Sequence, residues 1–128
     1  MRKTMPVREA MSRLPTEVDR CDPLGLVVEQ MRAQHCHHVP VMDGAHLFGV
    51  LSRQDLHEIM LREARPENEM TAGDVCTRDV LTVVPTATIF EVAQKMLERQ
   101  VSSALVTDGD VLVGIFTSND AVRLIAEL

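Results

Sequence analysis

The sequence predicts an α/β (α+β) fold of two pseudo-symmetric βαββα repeats, packed sheet to sheet. Shifted along itself by 65 positions, the chain matches itself from Pro6 onward without a gap. Identical residues coincide in many places: Val27 with Val92, Met31 with Met96, Val41 with Val106, Gly49 with Gly114, and Asp55 with Asp120. Each half also shows the same order of patterns, namely a short strand, an amphipathic helix, a strand hairpin and a second helix. Two copies are too few for a solenoid, so a face-to-face pair is the economical interpretation.

The size of the chain suits one ordinary domain made of both halves. Of its 128 residues, we predict that 6–62 form repeat 1, 63–70 form a linker and 71–128 form repeat 2. The linker is charged and is interrupted by Pro66. Units of fewer than 60 residues bury too little surface to be comfortably stable alone. The two halves are therefore expected to share one core.

The first helix of each repeat is predicted by an apolar stripe with helical spacing. The stripe comprises Leu24, Val27, Val28 and Met31 in repeat 1, and Ile89, Val92, Ala93, Met96 and Leu97 in repeat 2. Asp22-Pro23 predicts an N-cap followed by a first-turn proline. Thr88 and Glu91 have the spacing of a capping box.

A hairpin and a closing helix follow in each repeat. β-branched runs at 39–42 and 104–107 lead through Asp-Gly into a second apolar run, which predicts two strands joined by a tight turn. Closing helices are expected from the apolar residues Leu56, Ile59 and Met60 in repeat 1 and Leu124, Ile125 and Leu128 in repeat 2. Short helices are expected at 7–11 and 72–76.

The composition excludes several classes of function. A net charge of −6, no Trp or Tyr and only three Phe argue against a nucleic-acid surface. No apolar run is long enough to span a membrane, and the N-terminus lacks the apolar stretch of a signal peptide. Three scattered cysteines suit reduced thiols. We therefore expect a cytoplasmic protein without nucleic-acid or membrane partners.

The sharpest local pattern is a hydroxyl and an acid at the start of each closing helix. Gly49-Val-Leu-Ser52-Arg-Gln-Asp55 is repeated as Gly114-Ile-Phe-Thr117-Ser-Asn-Asp120. One interpretation is simple helix capping. The other is a ligand site, because a helix N-terminus attracts an anion and a carboxylate suits the paired hydroxyls of a ribose. Recurrence at the same place in both repeats favours the ligand site.

Taken together, these motifs resemble a tandem pair of cystathionine-β-synthase (CBS) domains, often called a Bateman module. The resemblance covers residues 6–128 and implies two clefts that bind adenosyl ligands: AMP, ADP, ATP or S-adenosylmethionine. It further implies that each cleft combines the hydroxyl and acid of one repeat with strand residues of the other. One cleft would use Ser52 and Asp55 with Leu81, Ser103 and Ala104. The other cleft would use Thr117 and Asp120 with Thr16, His38 and Val39.

The two repeats differ in charge near these positions. His37, His38 and Arg53 lie beside the motif of repeat 1, whereas repeat 2 has serines at the matching places. Charge-assisted hydrogen bonds favour an anionic nucleotide. We therefore expect the Ser52/Asp55 cleft to take a phosphorylated ligand. Repeat 2 also has Ala104-Leu105 where the family usually has Ala-Pro, and repeat 1 has Arg20 where repeat 2 has Pro85.

The sequence offers little for catalysis. It contains no nucleophile elbow, Walker A loop or dinucleotide fingerprint, so we do not expect an enzyme and expect no catalytic cofactor. We expect a stand-alone regulatory module that senses an adenosyl ligand and signals to an unknown effector protein or through its own homodimer. A purely structural dimerisation scaffold is the alternative.

A metal- or redox-responsive sensor is a third possibility. Four histidines lie close together in sequence with one cysteine among them: His35, Cys36, His37, His38 and His46. Imidazole and thiolate are good ligands for zinc. Neighbouring strand residues point to opposite faces, however, so this spacing does not favour a preformed site, and we expect no bound metal.

Overall fold

The computed structural model describes residues 3–13, 16–63 and 69–128 and confirms the mixed α/β fold. In chain order, its elements are a 3₁₀ turn at Val7–Glu9, β1 (Ser12–Arg13), β2 (Val18–Asp19), α1 (Leu24–Ala33), β3 (His38–Asp43), β4 (His46–Ser52), α2 (Arg53–Arg62), α3 (Ala72–Val75), β5 (Thr82–Val83), α4 (Ile89–Arg99), β6 (Ser103–Asp108), β7 (Val111–Thr117) and α5 (Ser118–Ala126). The predicted order of elements is therefore confirmed in both repeats. No helix among these residues is long and apolar enough to cross a membrane.

The chain folds into two compact units. The first unit is Thr16–Asp79, and the second unit is Met1–Pro15 together with Val80–Leu128. The predicted short helices exist, but α3 lies in the first unit and the turn at Val7–Glu9 lies in the second. Each of these two short helices thus folds with the elements of the other repeat. Residues 64–68 of the predicted linker lie outside the described residues.

The first unit contains a three-stranded sheet in the order β2-β3-β4. β2 runs parallel to β3, and β3 and β4 form the antiparallel hairpin. α3 is tied to this unit because the Ala72 N–H donates to the Asp22 carbonyl (2.9 Å) and the Gly73 N–H donates to the Arg20 carbonyl (2.8 Å). Met70, at the end of the predicted linker, is buried in the core of the same unit, and its carbonyl accepts a hydrogen bond from the Leu24 N–H.

The second unit contains a four-stranded sheet in the order β1-β7-β6-β5. β5 is parallel to β6, β6 and β7 form the hairpin, and β1 adds antiparallel to the outer edge of β7. The Val7 N–H donates to the Ala87 carbonyl (2.7 Å), which holds the N-terminal turn beside α4. A strand from outside repeat 2 therefore completes its sheet.

Both hairpins close through the predicted Asp-Gly turns. Gly44 and Gly109 each have φ near +63°, the left-handed region that glycine enters without steric penalty. The residue pairs that flank these turns are Asp43 with His46 and Asp108 with Val111. Each turn therefore has two central residues, the usual length for a hairpin. The pairing register also shifts at matching places, after Val41 and after Val106.

The predicted apolar stripes face the cores, with one exception. Leu24, Val27 and Met31 are buried in the first unit, and Ile89, Val92 and Met96 are buried in the second. Leu97 is 79% exposed, so its predicted place in the stripe is wrong. It follows Met96, which already fills the core position at that level of the helix. Each unit has its own buried apolar cluster, and a core shared by both stays a prediction.

Two predicted helix caps differ from expectation. Pro23 occupies the N-cap of α1 and no side chain caps this helix, because the Asp22 carboxylate accepts a hydrogen bond from the Asp19 N–H (2.9 Å) instead. At α4, the Thr88 hydroxyl accepts from the Glu91 N–H (3.1 Å). Among the described residues, the Glu91 carboxylate does not return a bond to the Thr88 backbone, so the capping box is only half formed.

Gly49 is required by a close contact between backbones. Val50 and Thr77 exchange two hydrogen bonds (3.0 and 2.9 Å), which brings the segment after α3 against β4. A β-carbon at position 49 would lie 2.5 Å from the Thr77 carbonyl oxygen and 2.7 Å from the Cys76 sulfur. Backbone atoms cannot move away as a flexible side chain could. Only glycine fits at this position.

We predict that Gly49→Ala lowers the free energy of unfolding by about 1–3 kcal/mol, the range for overpacking a filled site. Chemical denaturation followed by circular dichroism measures the change. Gln94→Ala on the exposed face of α4 is the matched control and should alter stability by less than about 0.5 kcal/mol. Equal stability of Gly49→Ala and the wild type would contradict the close approach of Thr77.

Candidate functional site

The first unit has a strand-to-helix junction at Ser52. β4 ends there with extended backbone (φ −99°, ψ 155°), and α2 begins at the next residue. The Ser52 Oγ accepts a hydrogen bond from the Asp55 N–H (3.0 Å), so the hydroxyl caps the helix. The junction forms because an apolar run ends in a residue that favours the N-cap position.

Several predicted site residues of repeat 1 meet at this junction. His38 lies directly opposite Ser52 in the β3–β4 ladder, and Val39 lies opposite Leu51. The Arg53 N–H donates to the His37 carbonyl (2.8 Å), which fixes the loop before β3 beside the start of α2. Val39 is fully buried.

Thr16 lies toward the same end of the sheet. It precedes β2, whose Val18 pairs with Val41 in the parallel ladder. Because β2 and β3 run in the same direction, the residues before β2 lie beside the start of β3. Thr16 is half-buried. The first unit therefore gathers two hydroxyls, two imidazoles and a guanidinium at one sheet end.

The Asp55 carboxylate has no partner at this junction among the described residues, and we call it open. Asp55 is half-buried at the third position of α2. Its N–H is used by Ser52, but its carboxylate has no hydrogen bond or ion pair within the described part of the chain. The two carboxylate oxygens can therefore accept hydrogen bonds from another molecule.

At the matching junction in the second unit, the acid is bonded to residues of its own helix and N-cap, an arrangement that we call closed. Thr117 and Asp120 form a complete capping box, in which Asp120 Oδ2 accepts from the Thr117 N–H (2.9 Å) and from its hydroxyl (3.1 Å). The Asp120 N–H donates back to the Thr117 hydroxyl (3.3 Å). Arg123 Nη1 lies 3.2 Å from the other carboxylate oxygen, Oδ1. Asp120 is only 5% exposed.

The strand residues predicted for the site in repeat 2 also lie near this junction. Ser103 lies opposite Thr117 and Ala104 lies opposite Phe116 in the β6–β7 ladder. The Leu81 carbonyl accepts a hydrogen bond from the Leu105 N–H (2.8 Å), so Leu81 lies beside the start of β6. All three predicted strand residues, Leu81, Ser103 and Ala104, are buried.

The structure thus brings the predicted site residues together in two groups, one per unit. We define the first half-site as His37, His38, Ser52, Arg53 and Asp55, and the second half-site as Leu81, Ser103, Ala104, Thr117 and Asp120. The predicted clefts combine residues of both units, such as Ser52 with Ser103. That combination stays a prediction.

Arg123 was missed by the sequence analysis. Its signal was available, because an acid and a base three residues apart on a helix lie within reach of each other. The corresponding residue of repeat 1 is Glu58. The two half-sites therefore differ not only in their histidines and serines but also in the charge that follows the acid.

The histidines and the cysteine do not form an evident metal site. The hairpin separates two of them, because His38 is at the first position of β3 and His46 pairs with Asp43 beside the turn. The described residues contain no group of three or more His, Cys, Asp or Glu that could hold a metal ion. Burial raises the pKa of the Cys36 thiol, and its backbone hydrogen bond and the charge of Arg53 lower it less. A raised pKa disfavours the reactive thiolate.

The family model of the CBS domain matches this chain twice, over residues 2–62 and 72–127. These segments agree with the internal repeat and cover most of the sequence. Among curated proteins, the chain is 32% identical over 74 residues to the uncharacterized protein MJ1232 of Methanocaldococcus jannaschii. The match spans 25% of the length of that relative, so the relative is a much longer protein than this chain.

Solved structures share the fold over nearly the whole chain. The Vibrio cholerae protein named for acetoin utilization (AcuB) is 30% identical, with a TM-score of 0.83 and coverage of 97% of this chain and 92% of that one. The CBS domain pair of protein MJ0100, in complex with 5-methylthioadenosine and S-adenosylmethionine, is 24% identical, with a TM-score of 0.86 and coverage of 97% and 98%.

A third structure is the CBS domain of a bacterial CNNM/CorC-family Mg²⁺ transporter in complex with ATP. It is 18% identical, with a TM-score of 0.83 and coverage of 97% of this chain and 89% of that one. At such identities, the last two comparisons show a common fold. With two matches of the family model and the same architecture, the chain belongs to the CBS-domain family and carries two CBS domains in tandem.

Proposed function

We propose that this protein is a regulatory module that binds an adenosyl ligand and passes the resulting change to a partner protein or through its own dimer. The observation that carries the proposal is the open Asp55 carboxylate beside the capped start of α2. The CBS domain pair of MJ0100 binds S-adenosylmethionine and 5-methylthioadenosine, and the CorC-family CBS domain binds ATP. These ligands share an adenosine group.

The chemistry of the first half-site fits a ribose followed by a phosphate. A carboxylate such as that of Asp55 can accept hydrogen bonds from the two neighbouring hydroxyls of a ribose. The positive end of the α2 dipole and the guanidinium of Arg53 favour an anion at the same place. We therefore propose an adenine nucleotide as the ligand of the cleft that includes Ser52 and Asp55, with S-adenosylmethionine as the main alternative.

We propose no catalytic role for either half-site. Ser52 donates no hydrogen bond to a base in the described part of the chain, and its Oγ already accepts one from the helix that it caps. A serine without a general base is a weak nucleophile. Ligand binding would instead favour one arrangement of the protein over another and so shift its population.

We also propose that a second copy of the chain covers the outer faces of α4 and α5. Large apolar side chains are exposed on both helices: Phe90 and Leu97 on α4, and Val122 and Ile125 on α5. A hollow of about 210 Å³ lies between the helices and is lined by Phe90, Ala93, Leu124 and Ile125 among others. Contiguous apolar patches on a soluble protein usually mark an interface.

The chain's cysteines fit a reducing, cytoplasmic environment, which we propose as its location. Cys21, Cys36 and Cys76 are all free thiols. Disulfides are rare in the cytosol, and free thiols persist there.

A scaffold without a ligand remains the competing hypothesis. The closed junction at Thr117 and Asp120 favours it for repeat 2, since every polar group of that box serves the helix start. The open carboxylate of Asp55 has no such structural use. Repeat 1 therefore carries the argument for binding.

We predict that ATP, ADP, AMP or S-adenosylmethionine raises the melting temperature of the wild type. A ligand at 100 times its Kd adds about 2.7 kcal/mol to the free energy of unfolding. Asp55→Ala should remove this gain while leaving the unliganded stability within about 0.5 kcal/mol, because the side chain has no partner to lose. Asp110→Ala, at an exposed hairpin turn, is the matched acidic control. Unchanged melting with all four ligands would favour the scaffold.

We predict a homodimer in solution at tens of micromolar, measured by light scattering coupled to size exclusion. Ile125→Asp should give a monomer, because it places a charge in the proposed interface. Val111→Asp is the control, since Val111 is equally exposed but lies at the start of β7, away from both helices. A monomeric wild type at this concentration contradicts the proposed interface.

A further inference from the structure

The two repeats carry the same hydroxyl and acid but use the acid in opposite ways. Both oxygens of the Asp120 carboxylate are bonded: Oδ2 accepts from the Thr117 N–H and the Thr117 hydroxyl, and Oδ1 accepts from the Arg123 guanidinium. The Asp55 carboxylate makes none of these contacts within the described residues. A ribose would find one acid available and the other already bonded.

The residue three positions after the acid differs between the two repeats. Arg123 follows Asp120 at that spacing and pairs with it, whereas Glu58 follows Asp55. One turn of helix places such residues on the same face. A carboxylate at position 58 repels the Asp55 carboxylate and cannot hold it against the helix. Glu58 therefore favours an open acid, and Arg123 favours a closed one.

We infer that Arg123 holds Asp120 closed on its own helix, so that the charge at this position determines which half-site is available to a ligand. Arg123 is a positioning residue that acts through Asp120. The inference rests on the proposed function for its ligand class. It adds that the wild type binds one adenosyl ligand per chain tightly, in the cleft that includes Asp55.

The size of the effect follows from the exposure of the pair. The Arg123 side chain is 59% exposed, whereas that of Asp120 is 5% exposed. Solvent screens the ion pair, and we expect about a fivefold change in affinity when it is lost, at the upper end for an exposed pair. The hydrogen bonds from Thr117 to the Asp120 carboxylate remain possible without Arg123. Loss of Arg123 therefore frees this carboxylate in only a part of the molecules.

A reciprocal exchange of the two residues tests this inference. Isothermal titration calorimetry with ATP, and separately with S-adenosylmethionine, is carried out on the wild type, Arg123→Glu, Glu58→Arg and Arg123→Lys. We expect Arg123→Glu to strengthen binding to a second site by about fivefold or more, and Glu58→Arg to weaken the first site by about fivefold. Arg123→Lys keeps the cation and should behave like the wild type. A second site of unchanged affinity in Arg123→Glu would overturn the inference.

Hydrogen exchange of the unliganded protein separates this inference from the proposed function. The Thr117 N–H donates to Asp120, so its exchange should be faster in Arg123→Glu than in the wild type and Arg123→Lys. If neither ligand binds the wild type, the proposed function fails, and the exchange rates still decide the role of Arg123. Equal rates for Thr117 in the wild type and Arg123→Glu overturn the inference whatever the ligand result.

Discussion

The junction at which a sheet strand ends in a hydroxyl and a helix begins is the constraint on which this protein depends. Ser52 and Thr117 each stop a strand and satisfy an N–H group in the first turn of the next helix. The hydroxyl lies across the ladder from the first residue of the preceding strand, His38 or Ser103. Strand pairing and helix capping thus fix the same few atoms.

The two copies of this junction use their acid differently. In repeat 2 the acid completes a capping box and an ion pair, which stabilises the start of α5. In repeat 1 only the hydroxyl caps the helix, and the carboxylate of Asp55 stays open. Equivalent positions carry opposite charges, Arg123 in repeat 2 and Glu58 in repeat 1. In our proposal this difference separates the two junctions.

The sequence predicted the features that depend on local chemistry. The repeat, both Asp-Gly turns and the buried faces of α1 and α4 follow from periodicity and glycine conformation, and the structure confirms them. Features decided by tertiary contacts were not predictable in this way. α3 folds with the first unit through bonds to Arg20 and Asp22, and nothing in its own sequence indicates this. The sequence analysis also did not predict that the Asp55 carboxylate lacks a partner. The two motifs are alike, and they differ only when Glu58 is compared with Arg123, the residues three positions after each acid.

Amide chemical-shift changes in a nitrogen-15 NMR titration with ATP test the central claim most directly. The open acid and the α2 dipole predict the largest changes at Arg53–Leu56, with small changes at the start of α5. Equal changes at both helix starts would contradict the asymmetry of the two junctions. Saturating ATP without a change at either helix start would show that the junctions are not ligand sites.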